Sequence, residues 1–476
     1  ELLVVNHSLF FSDMAMRLAN GGGHGFLPPV AAVVLDEAHT VEDTASDYLG
    51  IHLSQAAFEL LLRRLYVPDT GKGLLGALRA GDAAHDVERL WRSLPGLFSQ
   101  IAELAEFRPE DSQKTLKGPL PVQTDALELM STLSVHLKTL LGPLQEDDPE
   151  SWAELRSLKA RAEQLADGLE CFLSQEAADH VYWLEREGKR RQLALRSAPV
   201  EVGPILEQAL WGDYRSVVLT SATLAVAGKL DYVMRRLGAP EGCGGLCLGS
   251  PFDHRRQMEL YLATDIPAPG NGPAGAAYLD GLARGILAGV RKTRGRAFVL
   301  FTSADTMRRA EEALRGPIAE EGMTLLVQGR GLSRNAMLEI FRKAEKPYGL
   351  FGLDSFWMGV DVRGDALGNV IITRLPFAVP DHPVTEARLR RIRERGGNPF
   401  LEYSLPEAVL KFRQCVGRLI RSKDDRGVVV VLDSRIKHKY YGKIFLGSLP
   451  ACPVGWLRVG GEDGGEEWEL IDEDIG

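Results

Sequence analysis

The chain has 476 residues, 45% apolar and 25% charged, more than one hydrophobic core organises and enough for two or three globular domains. No apolar run reaches the roughly 18 residues of a membrane helix, and no basic, apolar and small-residue leader opens the sequence at Glu1; a cytoplasmic protein with no membrane partner is expected. The formal charge of −9 does not exclude nucleic acid, because residues 461–476 hold eight acidic groups and no Lys or Arg, leaving the remainder nearly neutral and able to carry a basic groove.

The tail at 456–476 reads as a solvated, mobile acidic end. Cys171, Cys243, Cys247, Cys415 and Cys452 form no disulfide framework and fit a reducing compartment. Only Cys243 and Cys247 lie close together, and nothing resembles a set of four zinc or iron–sulfur ligands.

In chain order, short apolar runs at 30–35, 216–220, 297–302, 324–328, 349–353, 370–373 and 428–432 read as strands. Continuous Val, Ile and Leu mark strands covered on both faces, hence parallel sheets. Helical patterns such as 304–314 and 335–344 lie between them, so the fold class is α/β. From 48 to 178 the rhythm changes to helices with almost no strand signal. Ala126, Met130, Leu133, Leu137 and Leu140 form one stripe; Leu155, Leu158, Ala162, Leu165, Leu169 and Phe172 form another. An acidic turn at 146–150 separates them, which predicts two packed antiparallel helices. The Pro- and Gly-rich stretch 266–273 predicts a further boundary. The expected organisation is a first α/β lobe at 1–47 and 179–244, a helical insertion at 48–178, a second α/β lobe at 245–455, and the tail.

Three segments carry chemistry. In the first, the strand ending at Leu35 delivers Asp36 and Glu37 of Asp36-Glu37-Ala38-His39 to its C-terminal end, where α/β ligand sites lie. In a nucleotide-hydrolysing lobe such an Asp holds the magnesium shell and the Glu orients the attacking water; otherwise the pair is two acids in a turn. In the second, Thr220-Ser221-Ala222-Thr223 follows another buried strand. Its hydroxyls either bridge the nucleotide cleft to the nucleic-acid face or cap a helix. In the third, Gln414-Cys-Val-Gly417-Arg418-Leu-Ile-Arg421 places two arginines three apart, as on one helical face, with Gly417 allowing close approach. They suit a γ-phosphate or form a solvated basic face.

Occurring in this order beside strands, the three segments resemble motifs II, III and VI of the superfamily 2 helicases. Finer features are similar to the DinG/XPD-like branch. They are Val4-Val-Asn6-His7 ahead of the Asp-Glu-Ala-His box, the long helical insertion, and Ser355-Phe-Trp357-Met358-Gly359-Val-Asp361-Val-Arg-Gly364, followed by Arg374-Leu-Pro376-Phe377. The resemblance covers nearly the whole chain. It implies two RecA-like lobes, the first incomplete, binding ATP and Mg2+ between them, and an ATP-dependent DNA helicase of repair or recombination moving 5′ to 3′. Asp36 and Glu37 are then the magnesium and water residues. His39 couples the lobes. Gln414, Arg418 and Arg421 reach across the cleft, Arg421 as the arginine finger, and Asp361 sits near the ribose. Phe301-Thr302-Ser303 matches motif IV, which contacts the DNA backbone, and the insertion matches the strand-parting arch.

Two departures stand out. Met358 occupies a place where relatives often have Glu, and no Gly-x-x-x-x-Gly-Lys-Ser/Thr occurs anywhere. Asp69-Thr-Gly71-Lys72-Gly73 lacks the hydroxyl after Lys72 and follows motif II instead of preceding it. By the resemblance, the phosphate loop, and a 4Fe-4S module where one exists, belong upstream of Asn6. This chain alone is therefore expected to bind ATP poorly. The expected partner is single-stranded or forked DNA, met by a monomer. Arg330 and Arg334, flanking Gly331 and Ser333, suit phosphate contact. The arginine-rich run 388–395 is either a DNA track or a solvated helix. Tyr182 and Trp183 either stack on bases or fill a strand core. Two other functions stay open: a catalytically silent nucleic-acid-binding or assembly subunit with the same fold, and a duplex translocase without strand separation.

Overall fold

The structure is a computed structural model that describes residues 2–270, 272–343, 347–357, 366–378, 381–460 and 466–471. Its largest element is an eight-stranded sheet in the second lobe. Fourteen strands are defined among the described residues: β1 Ala32–Leu35, β2 Ile51–Ser54, β3 Gln113–Thr115, β4 His180–Glu187, β5 Gln192–Pro199, β6 Ser216–Leu219, β7 Met258–Ala263, β8 Ala297–Leu300, β9 Thr324–Val327, β10 Tyr348–Gly352, β11 Asn369–Ile372, β12 Gly427–Val431, β13 Val454–Arg458 and β14 Glu467–Ile471. The seven strands read from apolar runs are all present, each within a residue or two of its expected ends.

In the second lobe the order is β14-β13-β7-β12-β11-β8-β10-β9, with every pair parallel except β13–β14. The apolar runs are unbroken because both faces are covered. On one face, helices Gly272–Lys292 and Ala304–Glu320 pack Leu282, Ile286, Leu314 and Ile318 onto Val299 and Val430. On the other, helices Arg334–Arg342 and Leu405–Val416 pack Met337, Phe341, Phe412 and Val416 onto Phe298, Val370 and Val429. The stretch 266–273 expected as a boundary instead joins β7 to helix Gly272–Lys292 inside this lobe. Its prolines and glycines mark a connection, not a division between cores.

The acidic end is not wholly a free tail. β14 pairs antiparallel with β13, and the Trp468 ring lies edge-on to Tyr261 with centroids 4.8 Å apart. The Lys292 ammonium sits over both rings, 4.4 and 4.6 Å from their centroids. One aromatic residue among the acids thus anchors a strand that charge alone would leave solvated.

The first lobe contributes two parallel strands, β1 and β6, paired in register from Ala32–Ser216 to Leu35–Leu219. Helices His7–Ala19 and Val41–Tyr48 cover one side, with Phe11, Met14, Val41 and Ala45 packed on Val33 and Leu35. Asn6 caps the first of these helices, its side chain accepting from the Leu9 N–H at 2.8 Å.

Between β1 and β6 lies the insertion. Helices Ala126–Asp147 and Pro149–Ser174 pack against each other. Except for the half-buried Leu140, both stripes read from the sequence are buried to 3% exposure or less. The segment also holds strands where almost none were expected. β2 and β3 join the β4–β5 hairpin in an antiparallel sheet ordered β2-β5-β4-β3. Four- and three-residue strands are too short to give an alternating signal. One face of this sheet, through Leu53, Tyr182, Leu184 and Leu195, completes the helical core. The other face, through Val181, Trp183 and Ala198, meets Val384 and Ala387 on helix Pro383–Glu394 of the second lobe. Tyr182 and Trp183 are 5% and 1% exposed and therefore fill the sheet core, out of reach of bases.

The structure divides the arginine run: Arg390, Arg393 and Arg395 are exposed, whereas Arg388 and Arg391 are engaged with other parts of the protein. Arg388 is 4% exposed and donates to the Val200 carbonyl at 3.0 Å. Arg391 pairs with Asp179, and Arg395 with Glu402 at 2.8 Å. Arg388 and Arg391 tie the second lobe to the ends of the β4–β5 hairpin and, through Glu42, to the first lobe, whereas the Arg395–Glu402 pair lies within the second lobe. A run dense in arginine was consistent with phosphate binding because sequence does not show which acids face it.

Candidate active site

Asp36 and Glu37 follow β1 directly, at the C-terminal ends of two parallel strands. Glu37 adopts the left-handed backbone conformation, φ 49°, at a cost of about 1–3 kcal/mol for a residue with a Cβ. Its neighbours enforce it. The Ala38 N–H donates to the Thr220 carbonyl at 3.0 Å, and the Thr40 N–H and hydroxyl donate to the Glu37 carbonyl at 2.9 and 3.0 Å. The turn leaves the Glu37 side chain 64% exposed, beside an exposed Asp36. Two solvent-facing carboxylates fit magnesium, which takes one or two protein carboxylates and completes its shell with water and phosphate oxygens.

Ser221 connects this box to the rest of the cleft. Its hydroxyl donates to Glu37 Oε2 at 3.3 Å and lies 2.9 Å from His39 Nδ1. Both contacts are satisfied when neutral His39 carries its proton on Nδ1 and donates to Ser221. Burial, the largest influence, holds His39 below its ordinary pKa, so the ring is neutral at pH 7. Ser221 Oγ also accepts from the Thr223 N–H at 3.2 Å. Neither hydroxyl caps a helix, since the next helix begins at Asp231.

The chain of contacts then crosses to the second lobe. Gln414 Nε2 donates to Thr223 Oγ1 at 3.2 Å, and Arg413 donates to the Ala225 carbonyl at 2.6 Å. Glu37, Ser221, Thr223 and Gln414 are therefore linked in series. Substituting Thr223→Val and Gln414→Ala singly and together is expected to give a coupling energy of about 0.5–3 kcal/mol in the turnover of the full-length protein. Additivity to within about 0.3 kcal/mol would mean that the contact transmits nothing.

Arg418 and Arg421 do not share a helical face as expected. Helix Leu405–Val416 ends at the cap Gly417, and both arginines lie in the loop beyond it. A Cβ at Gly417 would stand 3.2 Å from the Arg413 carbonyl oxygen, a tight contact. Arg418 is 6% exposed, and its guanidinium is held below its ordinary value, by burial first and also by the like charges of Arg421 and Arg334. Asp425 shapes the loop, accepting from the N–H groups of Arg421 and Ser422 at 2.8 and 2.9 Å. Burial raises the Asp425 pKa, but these bonds outweigh it and keep the carboxyl below the usual range.

The residues expected on a DNA track are spread out. Thr302 and Ser303 sit at the C-terminal end of β8, where Ser303 also caps helix Ala304–Glu320, accepting from the Thr306 N–H at 3.4 Å. Arg330 pairs with the buried Glu311 at 2.9 Å, although its side chain stays 56% exposed. Arg334 opens helix Arg334–Arg342, with its guanidinium 5.8 Å from the Phe356 ring centroid and its charge within reach of Arg418. That places Arg334 beside the cleft arginines. Asp361 and Met358 lie outside the described residues. Sequence reading missed Arg413 and Thr40, and it missed that His7 Nδ1 lies 3.1 Å from Thr40 Oγ1. The Asn6-His7 pair was the only signal for that contact.

A carboxylate pair at a parallel strand's end, with Glu37 linked through Ser221 and Thr223 to Gln414 of a second parallel-sheet lobe, is an arrangement suited to a nucleotide-hydrolysing cleft between two lobes. Residues 286–452 match the helicase C-terminal domain family. The ATP-dependent DNA helicase YoaA of Escherichia coli is 35% identical over 95% of this chain and 67% of its own length. The ATP-dependent DNA helicase DinG of Photobacterium profundum is 31% identical over 94% and 68%. A solved apo structure of XPD superposes with a TM-score of 0.55 at 14% identity, over 91% of this chain and 79% of that one. The chain belongs to the DinG/XPD-like superfamily 2 DNA helicases. It spans about two thirds of the length of the curated helicases named here.

Proposed function

We propose that this chain is the cleft-closing and DNA-engaging part of an ATP-dependent helicase that translocates on single-stranded DNA, 5′ to 3′, and opens forked duplexes in repair or recombination. One observation carries the reading most directly: the unbroken contact series from Glu37 through Ser221 and Thr223 to Gln414. It joins the water-orienting carboxylate to the helix that precedes the arginines, so a change at one lobe is felt at the other.

In this reading Asp36 holds the magnesium shell, and bound Mg2+ with ATP supplies the polarised γ-phosphoryl group. Glu37 orients the attacking water and accepts its proton. Ser221 and neutral His39 keep the Glu37 carboxylate aimed. Arg421 and Arg418 bring positive charge to the oxygens whose charge grows during transfer. Relatives named as DNA helicases support DNA as the partner. Asp361, Thr302, Ser303, Arg330 and Arg334 keep their proposed nucleotide and backbone roles, with Arg334 shared between the two. A DNA substrate supports a cytoplasmic setting, and the protein acts there as a monomer in this reading.

The test is ATP hydrolysis by the full-length protein with and without single-stranded DNA, paired with unwinding of forks bearing a 5′ or a 3′ tail. Stimulation by DNA and unwinding from the 5′ tail only are expected. DNA binding without any turnover would replace this reading with the silent subunit.

A further inference from the structure

Where helices Val41–Tyr48 and Asp231–Arg236 meet helix Pro383–Glu394, the two lobes share a buried polar cluster. Glu42 lies in the first turn of helix Val41–Tyr48, which leaves directly from the Asp-Glu-Ala-His turn. Arg236 of helix Asp231–Arg236 donates to it with two nitrogens, one at 2.9 Å, and Arg388 of the second lobe approaches it to 2.8 Å. Arg388 also donates to the Tyr403 hydroxyl at 3.2 Å, and Arg236 lies 5.0 Å from the centroid of the Tyr403 ring. Alongside, the Tyr232 hydroxyl donates to Glu407 Oε1 at 2.5 Å. Tyr232 comes after the Ser-Ala-Thr loop in sequence, and Glu407 opens helix Leu405–Val416, whose last turn carries Arg413 and Gln414.

We propose that Tyr232 and Glu407, seated on the Glu42–Arg236–Arg388 cluster, are positioning residues that fix the angle between the lobes and so place Gln414 and the arginine loop on the Glu37 turn. The proposal rests on the cleft reading above. Glu407 and Gln414 stand seven residues apart on one rigid helix, about 10 Å along its axis. Movement at one end therefore carries to the other. The cluster brings together the helices that come after the first two motifs and the helix that carries the third. Ion clusters that only hold a surface together have no need of such a set.

The seat responds to protons. The groups facing Glu407 are Tyr232, Arg236, Glu42, Asp43 and Tyr403, the last bonded in turn to Arg388. Burial, reinforced by the negative charge of Glu42, pushes the Glu407 carboxyl up to about 7. When the lobes part and Glu407 meets water, its pKa returns toward the ordinary 4.5. The closed arrangement thus binds a proton that the open one releases, so closure is favoured below about pH 5 and the advantage is lost as pH rises to 7 and beyond.

The experiment uses the full-length protein as wild type, Glu407→Gln and Glu407→Ala. Two readouts are taken from pH 6 to 8: hydrogen exchange of peptides covering 231–236 and 405–416, corrected for intrinsic rate, and kcat/KM for ATP with saturating DNA. In the wild type, exchange is expected to quicken and kcat/KM to fall with rising pH. Glu407→Gln, which keeps the neutral shape, is expected to hold both at their pH 6 levels. Glu407→Ala is expected to quicken exchange in both peptides and lower kcat/KM by about tenfold. A Glu407→Gln protein with the wild-type pH dependence, or a Glu407→Ala protein with wild-type exchange, would overturn the proposal. The expected exchange pattern in a wild type that hydrolyses no ATP would overturn the cleft reading and leave the seat as a structural joint, without the positioning role.

Discussion

Replacing Glu37 by Gln in the full-length protein is expected to lower DNA-stimulated ATP turnover by about 10²–10⁴-fold, the range of a positioned general base, with ATP and DNA binding retained. Gln keeps the volume and the left-handed backbone, and it can still accept from the Ser221 hydroxyl that now donates to Glu37 Oε2. What it loses is the negative charge that polarises water and takes up its proton. The structure makes the comparison clean because the Glu37 turn is held by backbone groups, through the bonds from Ala38 and Thr40, and not by its own carboxylate. The variant should therefore fold. Turnover reduced less than about threefold would remove Glu37 from the chemistry.

Arg421→Ala is expected to cost about 10³-fold in kcat, as for other arginine fingers. The structure favours Arg421 over Arg418 for this test. Arg418 is 6% exposed in the second-lobe core edge, so its removal disturbs packing as well as charge. Arg421 lies in a loop whose shape is set by Asp425 bonding to backbone N–H groups, which Ala retains. A loss in kcat with KM for ATP nearly unchanged would mark a contact made in the transition state. A loss below about tenfold would remove Arg421 from the finger role and leave Arg418 as the candidate.

Much of this was legible in the residues. Val428 to Val431 could be read as a doubly covered strand because alternation disappears when both faces are apolar. Asp36 and Glu37 could be placed because the C-terminal end of a parallel strand fixes where the next two side chains emerge, even though β1 buries only Val33 and Leu35 and leaves Val34 exposed. Contacts between distant segments were less accessible. No local pattern pairs Ser221 with His39, 182 residues away, or Arg388 with Glu42. The end of helix Leu405–Val416 was overrun because Arg418 and Arg421 keep helical spacing while the backbone has already turned at Gly417. The strands β2 and β3 were missed for want of length. β14 was missed because its acids outweighed a single tryptophan in composition, though not in packing.

That last strand bears on how the molecule treats its own kind. An open parallel sheet exposes a row of unpaired amide and carbonyl groups at its border, and another sheet could add to them. Here the border strand carries the exposed Glu467 and Glu469 on either side of Trp468. Two copies meeting border to border would bring these charges together across a strand spacing of about 4.8 Å. At this edge of the sheet the charges of Glu467 and Glu469 are expected to disfavour border-to-border pairing of two copies.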